Sequence, residues 1–245
     1  MMISFNSEQR FIVTGASSGI GESVALLLNE LGASVIGIGR NRERLDAMKA
    51  KAKHPENVFL EQKDLAEDIA GLPAWIKSLK DKYGKFQGMA YCAGIGRVQP
   101  LKAVDFDYMQ RVFSVNYFAP VFMAKGFADK RNNNGKGSSI VCIASAGGVH
   151  PDPGMTEYAG SKGALIATMQ SVARELAPSG VRVNCVSPTL IATNMADDVS
   201  RAFAEGKYPM GIGKPEYVAN VIAFLLSDKT EWITAQNYII DCGAM

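Results

Sequence analysis

The sequence predicts an α/β protein, a single-domain doubly wound parallel sheet with helices on both faces. Three observations carry this expectation. Short apolar runs alternate with longer stretches of helical periodicity. Each run is apolar on both faces, as strands buried within a parallel sheet are. The first run passes into glycine-rich sequence that opens a helix, the junction typical of a doubly wound sheet. A chain of 245 residues, 47% apolar and 20% charged, is long enough for one such domain with a buried core and short for two.

The elements follow in order. Phe11-Ile12-Val13 is the first strand, and Val24, Leu27, Leu28 and Leu31 form one stripe on the helix after it, which Gly32 stops. Val35-Ile36-Gly37-Ile38-Gly39 is the second strand, with Asn41 as cap of a helix carrying Leu45 and Met48. Val58-Phe59-Leu60 is the third, followed by a helix marked by Leu72, Trp75, Ile76 and Leu79. Met89-Ala90-Tyr91-Cys92 is the fourth, ahead of a long helix from about Asp105. Residues 139–144 and 181–186 are further strands, separated by a helix from about 156 to 177, and Tyr238-Ile239-Ile240 is the last. Right-handed crossovers wind these units into one sheet. The patch Asn132-Asn133-Asn134-Gly135-Lys136-Gly137 is expected to be a polar surface turn. Residues 1–245 form one domain, with a small lid at about 189–212 that mixes Met195, Phe203, Tyr208 and Met210 with Asp197, Asp198 and Arg201.

Composition excludes several classes. Lys and Arg total 26 against 24 Asp and Glu, and no basic cluster is visible along the chain, so nucleic acid is not an expected partner. The strongest apolar run, Val221-Ile222-Ala223-Phe224-Leu225-Leu226, is far too short to span a membrane, and the N-terminus has no secretory leader. Cys92, Cys142, Cys185 and Cys242 lie 50, 43 and 57 residues apart, which fits neither a metal site nor a redox dithiol and points to a reducing cytoplasm.

Thr14-Gly15-Ala16-Ser17-Ser18-Gly19-Ile20-Gly21 spans the first strand–helix junction. Glycines there let the backbone turn tightly and approach a ligand, while free N–H groups at the helix start face an anion. The spacing is G-x-x-x-G-x-G rather than G-x-G-x-x-G, and a purely structural turn is the competing reading. At the end of the second strand an acidic residue would bind ribose hydroxyls and repel a 2′-phosphate. This chain has Gly39-Arg40-Asn41-Arg42 instead, and Arg40 with Ser17 and Ser18 favours NADP(H) over NAD(H). Asp64-Leu65, just past the third strand, is placed to meet an adenine ring; an ordinary helix cap is the alternative.

Tyr158 and Lys162 lie four apart on a helical pattern and point the same way. A free Tyr, with a pKa of about 10, is a poor base at neutral pH, and an ammonium group beside it favours the phenolate. Ser145, thirteen residues upstream at a strand end, is placed to hold a carbonyl oxygen while Tyr158 exchanges the proton. Asn116 is a polar residue on the apolar face shared by Met109, Val112 and Phe113, and Pro120 follows it by four. Proline has no N–H for the Asn116 carbonyl, so a kink is expected there, with a freed carbonyl that holds a water relaying protons to Lys162.

Together, residues 14–21, Asp64, Asn116, Ser145 and Tyr158-Ala159-Gly160-Ser161-Lys162 resemble the classical short-chain dehydrogenases/reductases, and the match runs on to Ile239-Ile240-Asp241. The resemblance implies a seven-stranded Rossmann-like sheet, a homotetramer or homodimer, and hydride transfer between NAD(P) and a small-molecule carbonyl or alcohol. It implies Tyr158 as acid/base, Lys162 on the nicotinamide ribose, Ser145 on the substrate oxygen and Asn116 in the proton relay. Pro188, Ile191 and Thr193 match the segment that binds nicotinamide and phosphate, and Ala93 and Gly94 the loop after the fourth strand. There Tyr91-Cys92 replaces the usual Asn-Asn, while Thr189, Ala235 and Cys242 replace glycines. Within the family, residues 208–216 and the stretch 171–176 with Arg174 look like 3-oxoacyl-carrier-protein reductases, which makes a carrier-bound acyl group one candidate substrate, but many sugar, steroid and antibiotic ketoreductases share these stretches. Two other classes fit the residues less well. A nucleotide-sensing regulator on this fold typically loses the Tyr or Lys, and both are present. A sugar-nucleotide epimerase or dehydratase is usually longer, with different glycine spacing.

Overall fold

A computed structural model describes residues 3–193 and 206–244. Its seven strands are β1 (Arg10–Thr14), β2 (Ser34–Gly39), β3 (Val58–Gln62), β4 (Gly88–Tyr91), β5 (Ser139–Ile143), β6 (Arg182–Pro188) and β7 (Asn237–Ile240). They form one sheet in the order β3-β2-β1-β4-β5-β6-β7, every pair parallel. Helices α1 (Gly19–Glu30), α2 (Arg42–Lys51) and α7 (Pro215–Leu226) cover one face. The other face carries α3 (Leu72–Tyr83), α5 (Ala119–Ala128) and α6 (Thr156–Leu176), with α4 (Phe106–Phe113) packed against α6. The predicted architecture is thus the observed one.

Two apolar layers hold the sheet between its helices. Val24, Leu28, Leu45, Met48, Val218 and Ile222 are buried on one side, and Leu72, Ile76, Met123, Phe127, Leu165 and Met169 on the other. Each side chain of this size removed from water contributes about 1.5–3 kcal/mol. Local signals also act as read. The Asn41 side chain accepts from the Arg44 N–H at 2.8 Å, and Gly32 takes a φ of +102° just after α1.

Two expectations are corrected. The Asn-rich patch is not a surface turn throughout: Asn132 and Asn133 are buried, and their amides donate to the Gly126 and Phe127 carbonyls at the end of α5. These bonds satisfy carbonyls that a helix leaves open at its C-terminus. The interruption before Pro120 is a π-turn over Ser114–Phe118, in which the Ala119 N–H reaches back to the Ser114 carbonyl. The disturbance expected at Pro120 thus takes the form of a change of hydrogen-bond register rather than a simple kink. Of the lid, Met195, Asp197, Asp198, Arg201 and Phe203 lie outside the described residues.

Sheet order reverses between β1 and β4, and such a switch point opens a crevice at the carboxyl ends of the strands. Thr14 ties the two loops that leave it, its hydroxyl accepting from the N–H groups of Cys92 and Ala93, both at 3.0 Å.

Candidate active site

The crevice continues into a cleft of about 430 Å³. Gly15, Ser17, Ser18, Gly19, Ile20 and Gly21 line it from the first junction, Arg40 from the end of β2, and Asp64 and Leu65 from beyond β3. Ala93 and Gly94 enter after β4, Ser145 after β5, Tyr158 and Lys162 from α6, and Pro188, Ile191 and Thr193 from the end of β6. Residues from seven separate segments therefore meet in one space. Asn116 lies behind this wall and reaches it through Ile95.

The glycine loop is shaped by close approach. Gly15 and Gly19 take φ of +67° and +58°, the left-handed region that favours glycine. A Cβ on Gly15 would stand 3.0 Å from the Ala93 nitrogen, and one on Gly19 would stand 3.0 Å from Cγ2 of Thr193. The loop is pressed between the exit of β4 and the segment after β6, with the start of α1 facing the cleft. Ser18, the N-cap of α1, makes no side-chain capping bond. A bare, glycine-lined helix start flanked by Arg40 suits a dinucleotide with an extra phosphate.

The polar groups of the second half are held in a chain. Ser145 stands two residues past β5; its hydroxyl accepts from the Gly147 N–H at 3.2 Å and lies near enough to the Tyr158 phenol to lower its pKa. Lys162 lies one turn beyond Tyr158, its Nζ 5.9 Å from the ring centre and donating to the Ile143 carbonyl at 2.7 Å. Asn116 is fixed by three bonds. Its Oδ1 accepts from the Ile95 N–H at 2.9 Å, and its Nδ2 donates to the Ile95 carbonyl at 2.9 Å and to Ser161 Oγ at 3.0 Å. Gly94 lies between Asn116 and Lys162: a Cβ there would be 3.4 Å from Oδ1 of the first and 3.5 Å from Nζ of the second.

The electrostatics differ from the sequence expectation in one respect. Burial raises the Tyr158 phenol above its ordinary value, and Ser145 only partly opposes it. Burial also lowers Lys162, to about 8. The phenol is accordingly neutral and ready to donate, rather than made acidic by its ammonium neighbour.

Several contacts had no signal in the sequence. The Tyr91 hydroxyl, where the family has asparagine, donates at 2.6 Å to the Val115 carbonyl inside the π-turn. A Cβ on Gly96 would lie 3.0 Å from two atoms of the Tyr158 ring, so that loop covers the phenol. Glu157, buried beside Tyr158, accepts from the Gln99 amide. Arg111 of α4 pairs with Asp64. Ala235 and Cys242, which replace family glycines, keep the left-handed backbone at φ of +60° and +52°.

A family model described as enoyl-(acyl carrier protein) reductase matches residues 15–245. The 3-oxoacyl-[acyl-carrier-protein] reductase of Thermotoga maritima is 33% identical over 95% of this chain and 96% of its own. That of Rickettsia conorii is 33% identical over 96% and 95%. The chain belongs to the short-chain dehydrogenase/reductase family. It is accordingly an oxidoreductase. Solved members of the family share the fold closely. A short-chain dehydrogenase from Burkholderia cenocepacia in complex with NADP superposes with a TM-score of 0.89 at 30% identity, covering 97% of this chain and 98% of that one. A short-chain dehydrogenase/reductase from Brucella melitensis gives 0.91 at 27% identity, covering 100% and 99%. Among the described residues no helix is long and apolar enough to cross a membrane, and no cluster of His, Cys, Asp and Glu is placed to hold a metal ion.

Proposed function

We propose that the chain is an NADP(H)-preferring reductase of ketone or 3-oxoacyl groups, working in reverse on secondary alcohols. The observation that carries this reading is the convergence of Ser145, Tyr158 and Lys162 on one cleft, with the phenol kept neutral by burial. NADP(H), when bound, supplies or accepts the hydride. Gly15, Ser17, Ser18, Gly19, Ile20 and Gly21 hold its pyrophosphate end, Asp64 and Leu65 its adenine, and Ala93, Gly94, Pro188, Ile191 and Thr193 the remainder. Arg40 holds the 2′-phosphate: its guanidinium is exposed and the residue closing β2 is a glycine rather than an acid, although Asp64 stands 4.0 Å away across the cleft wall. The Burkholderia relative is an NADP complex, which supports the same choice.

Ser145 holds the substrate carbonyl oxygen, and Tyr158 gives it a proton as the carbonyl carbon is reduced. Lys162 fixes the nicotinamide ribose. Asn116, held against Ile95 and Ser161, would hold with its main-chain carbonyl a water that relays a proton from solvent to Lys162 and so to Tyr158. Retention of both Tyr158 and Lys162 disfavours a non-catalytic regulator, and full-length similarity to reductases disfavours a sugar-nucleotide enzyme.

The finer assignments belong to the same reading. A carrier-bound acyl group is the favoured substrate, since the similar reductases are named for it and Arg174 stands exposed on α6. The enzyme is a homotetramer or homodimer, for which the exposed Phe106, Phe118 and Trp232 offer apolar contact surface. It works in the cytoplasm, where four free thiols persist, Cys142 and Cys185 among them as register neighbours on β5 and β6. Thr189 and Tyr208, on the described parts of the expected lid, border the cleft.

The test is consumption of NADPH with a panel of ketones, 3-oxoacyl thioesters and nucleotide sugars. Turnover of the first two classes that falls about 10²–10⁴-fold in Tyr158→Phe supports the assignment. Undiminished turnover in that variant, or turnover of nucleotide sugars alone, overturns it.

A further inference from the structure

Asp64 presents a puzzle for the cofactor reading. It is a carboxylate on the wall of the cleft, and its Oδ2 lies only 4.0 Å from Nη1 of Arg40, the cation assigned to the 2′-phosphate. An unrestrained carboxylate at that distance would compete with the phosphate for Arg40 and repel it as well.

The structure shows how both oxygens are occupied. Oδ1 accepts from the Ala66 N–H at 3.0 Å, and Oδ2 accepts from Nη2 of Arg111. Burial works against the charge, but the Ala66 N–H and the Arg111 guanidinium, with a smaller contribution from Arg40, outweigh it and hold Asp64 below the usual carboxylate range. Arg111 comes from α4, 47 residues away in the chain, and does not line the cleft. The Asp64 side chain is 20% exposed and that of Arg40 62%, so the first is held and the second left to the solvent side. Gln62 meanwhile fixes the Arg40 backbone by donating to its carbonyl at 2.9 Å.

We propose that Arg111 is a positioning residue for cofactor choice: by engaging Asp64 it leaves Arg40 available to an adenosine 2′-phosphate. The inference rests on the NADP(H) preference proposed above. Without Arg111, Oδ2 would close onto Arg40, and the phosphate-bearing cofactor would lose its cation and meet an uncompensated negative charge. The cofactor lacking that phosphate would notice little.

The experiment is fluorescence titration of NADPH and NADH into the wild type, Arg111→Ala, Arg111→Lys, Asp64→Asn and the Arg111→Ala/Asp64→Asn double variant. The expected result is a loss of NADPH affinity of about tenfold in Arg111→Ala, with NADH changed less than about twofold, the size of one displaced charge contact. Arg111→Lys recovers part of the loss. The double variant matches Asp64→Asn alone, because the competing charge has gone. A preference ratio unchanged in Arg111→Ala overturns the inference and leaves the NADP(H) reading standing. A double variant as weak as Arg111→Ala also overturns it, showing that Arg111 acts by its own field. A wild type that does not favour NADPH overturns the cofactor reading itself. Should Arg111→Ala not fold, Arg111→Gln with the same titrations and the same double variant decides the matter.

Discussion

The Lys162 ammonium is anchored from within the protein: its Nζ donates to the Ile143 carbonyl, 19 residues away at the end of β5, at 2.7 Å. That single bond places a cation under the cleft, where burial draws its pKa down to about 8 from an ordinary 10.5. A cation buried this way lowers stability while it remains charged, and the penalty has a defined pH window. Below pH 8 the folded and unfolded states both carry the proton, so the penalty is complete. Between 8 and 10.5 the folded state releases its proton first, the unfolded chain holds more protons, and stability rises with pH.

The expected outcome is that the wild type gains on Lys162→Met by about 3 kcal/mol as pH rises through that window. Urea unfolding of both proteins at pH 7, 8, 9 and 10 measures it. A stability gap independent of pH would mean that Lys162 is not the charged, buried group described.

Ser145 acts on the Tyr158 phenol by lowering its pKa, and its removal separates two effects. On the proposed mechanism Ser145→Ala deletes a donor to the substrate oxygen, for which a loss of about 100-fold in kcat is expected. The same hydroxyl lowers the Tyr158 pKa, so its loss lets burial raise the phenol further. Alcohol oxidation, which needs Tyr158 as a base, should then require more alkaline conditions than in the wild type. Rate–pH profiles in the oxidative direction read this shift, and an unmoved alkaline limb would contradict the influence of Ser145 on Tyr158.

What the sequence makes legible is what short-range chemistry decides. Gly15, Gly19 and Gly32 announce turns because each needs a positive φ, and Asn41 announces a helix start because its side chain caps locally. The spacing of Tyr158 and Lys162 is likewise a property of one helix turn. Contacts between distant segments carry no such signature. Nothing near Arg111 points to Asp64, and nothing near Tyr91 points to Val115, 24 residues on. Pro120 correctly marks a disturbed helix, but the π-turn begins at Ser114, because the missing N–H can be absorbed anywhere in the preceding turn. The direction of the Tyr158 shift was also beyond reach, since it depends on burial set by Gly96 and the loop that covers the ring.

Tyr91→Phe tests the long-range contact in the interior. The variant keeps the ring and its packing but removes the donor to the Val115 carbonyl, which then lies buried within the π-turn. An acceptor stranded in that way costs about 1–3 kcal/mol. Denaturant unfolding should show this loss with little change in the slope of the transition. Because Asn116 is the next residue in the same turn, kcat should also fall while KM for NADPH stays close to that of the wild type. Equal stability of the two proteins would show the hydroxyl to be dispensable.

The glycine loop makes a steric prediction with an internal control. A Cβ on Gly21 would lie 2.5 Å from the Gly15 carbonyl carbon and 2.8 Å from the Thr14 oxygen. Both are backbone atoms, so the loop itself must move. Gly21→Ala should therefore cost about 1–3 kcal/mol of stability, the usual range for forcing extra volume into a packed site. It should also weaken NADPH binding by tenfold or more (~1.4 kcal/mol), because the displaced residue, Gly15, lines the cleft. Gly135 provides the contrast. It has a positive φ of +75°, yet a Cβ there would meet nothing within 4 Å. Gly135→Ala should carry only the backbone strain, about 1 kcal/mol, and leave cofactor affinity unchanged. Thermal unfolding with and without NADPH distinguishes the two: the stabilisation by cofactor should shrink in Gly21→Ala and persist in Gly135→Ala. If both variants kept the full cofactor-dependent shift, the tight packing of α1 against the first junction would not be what shapes the binding loop.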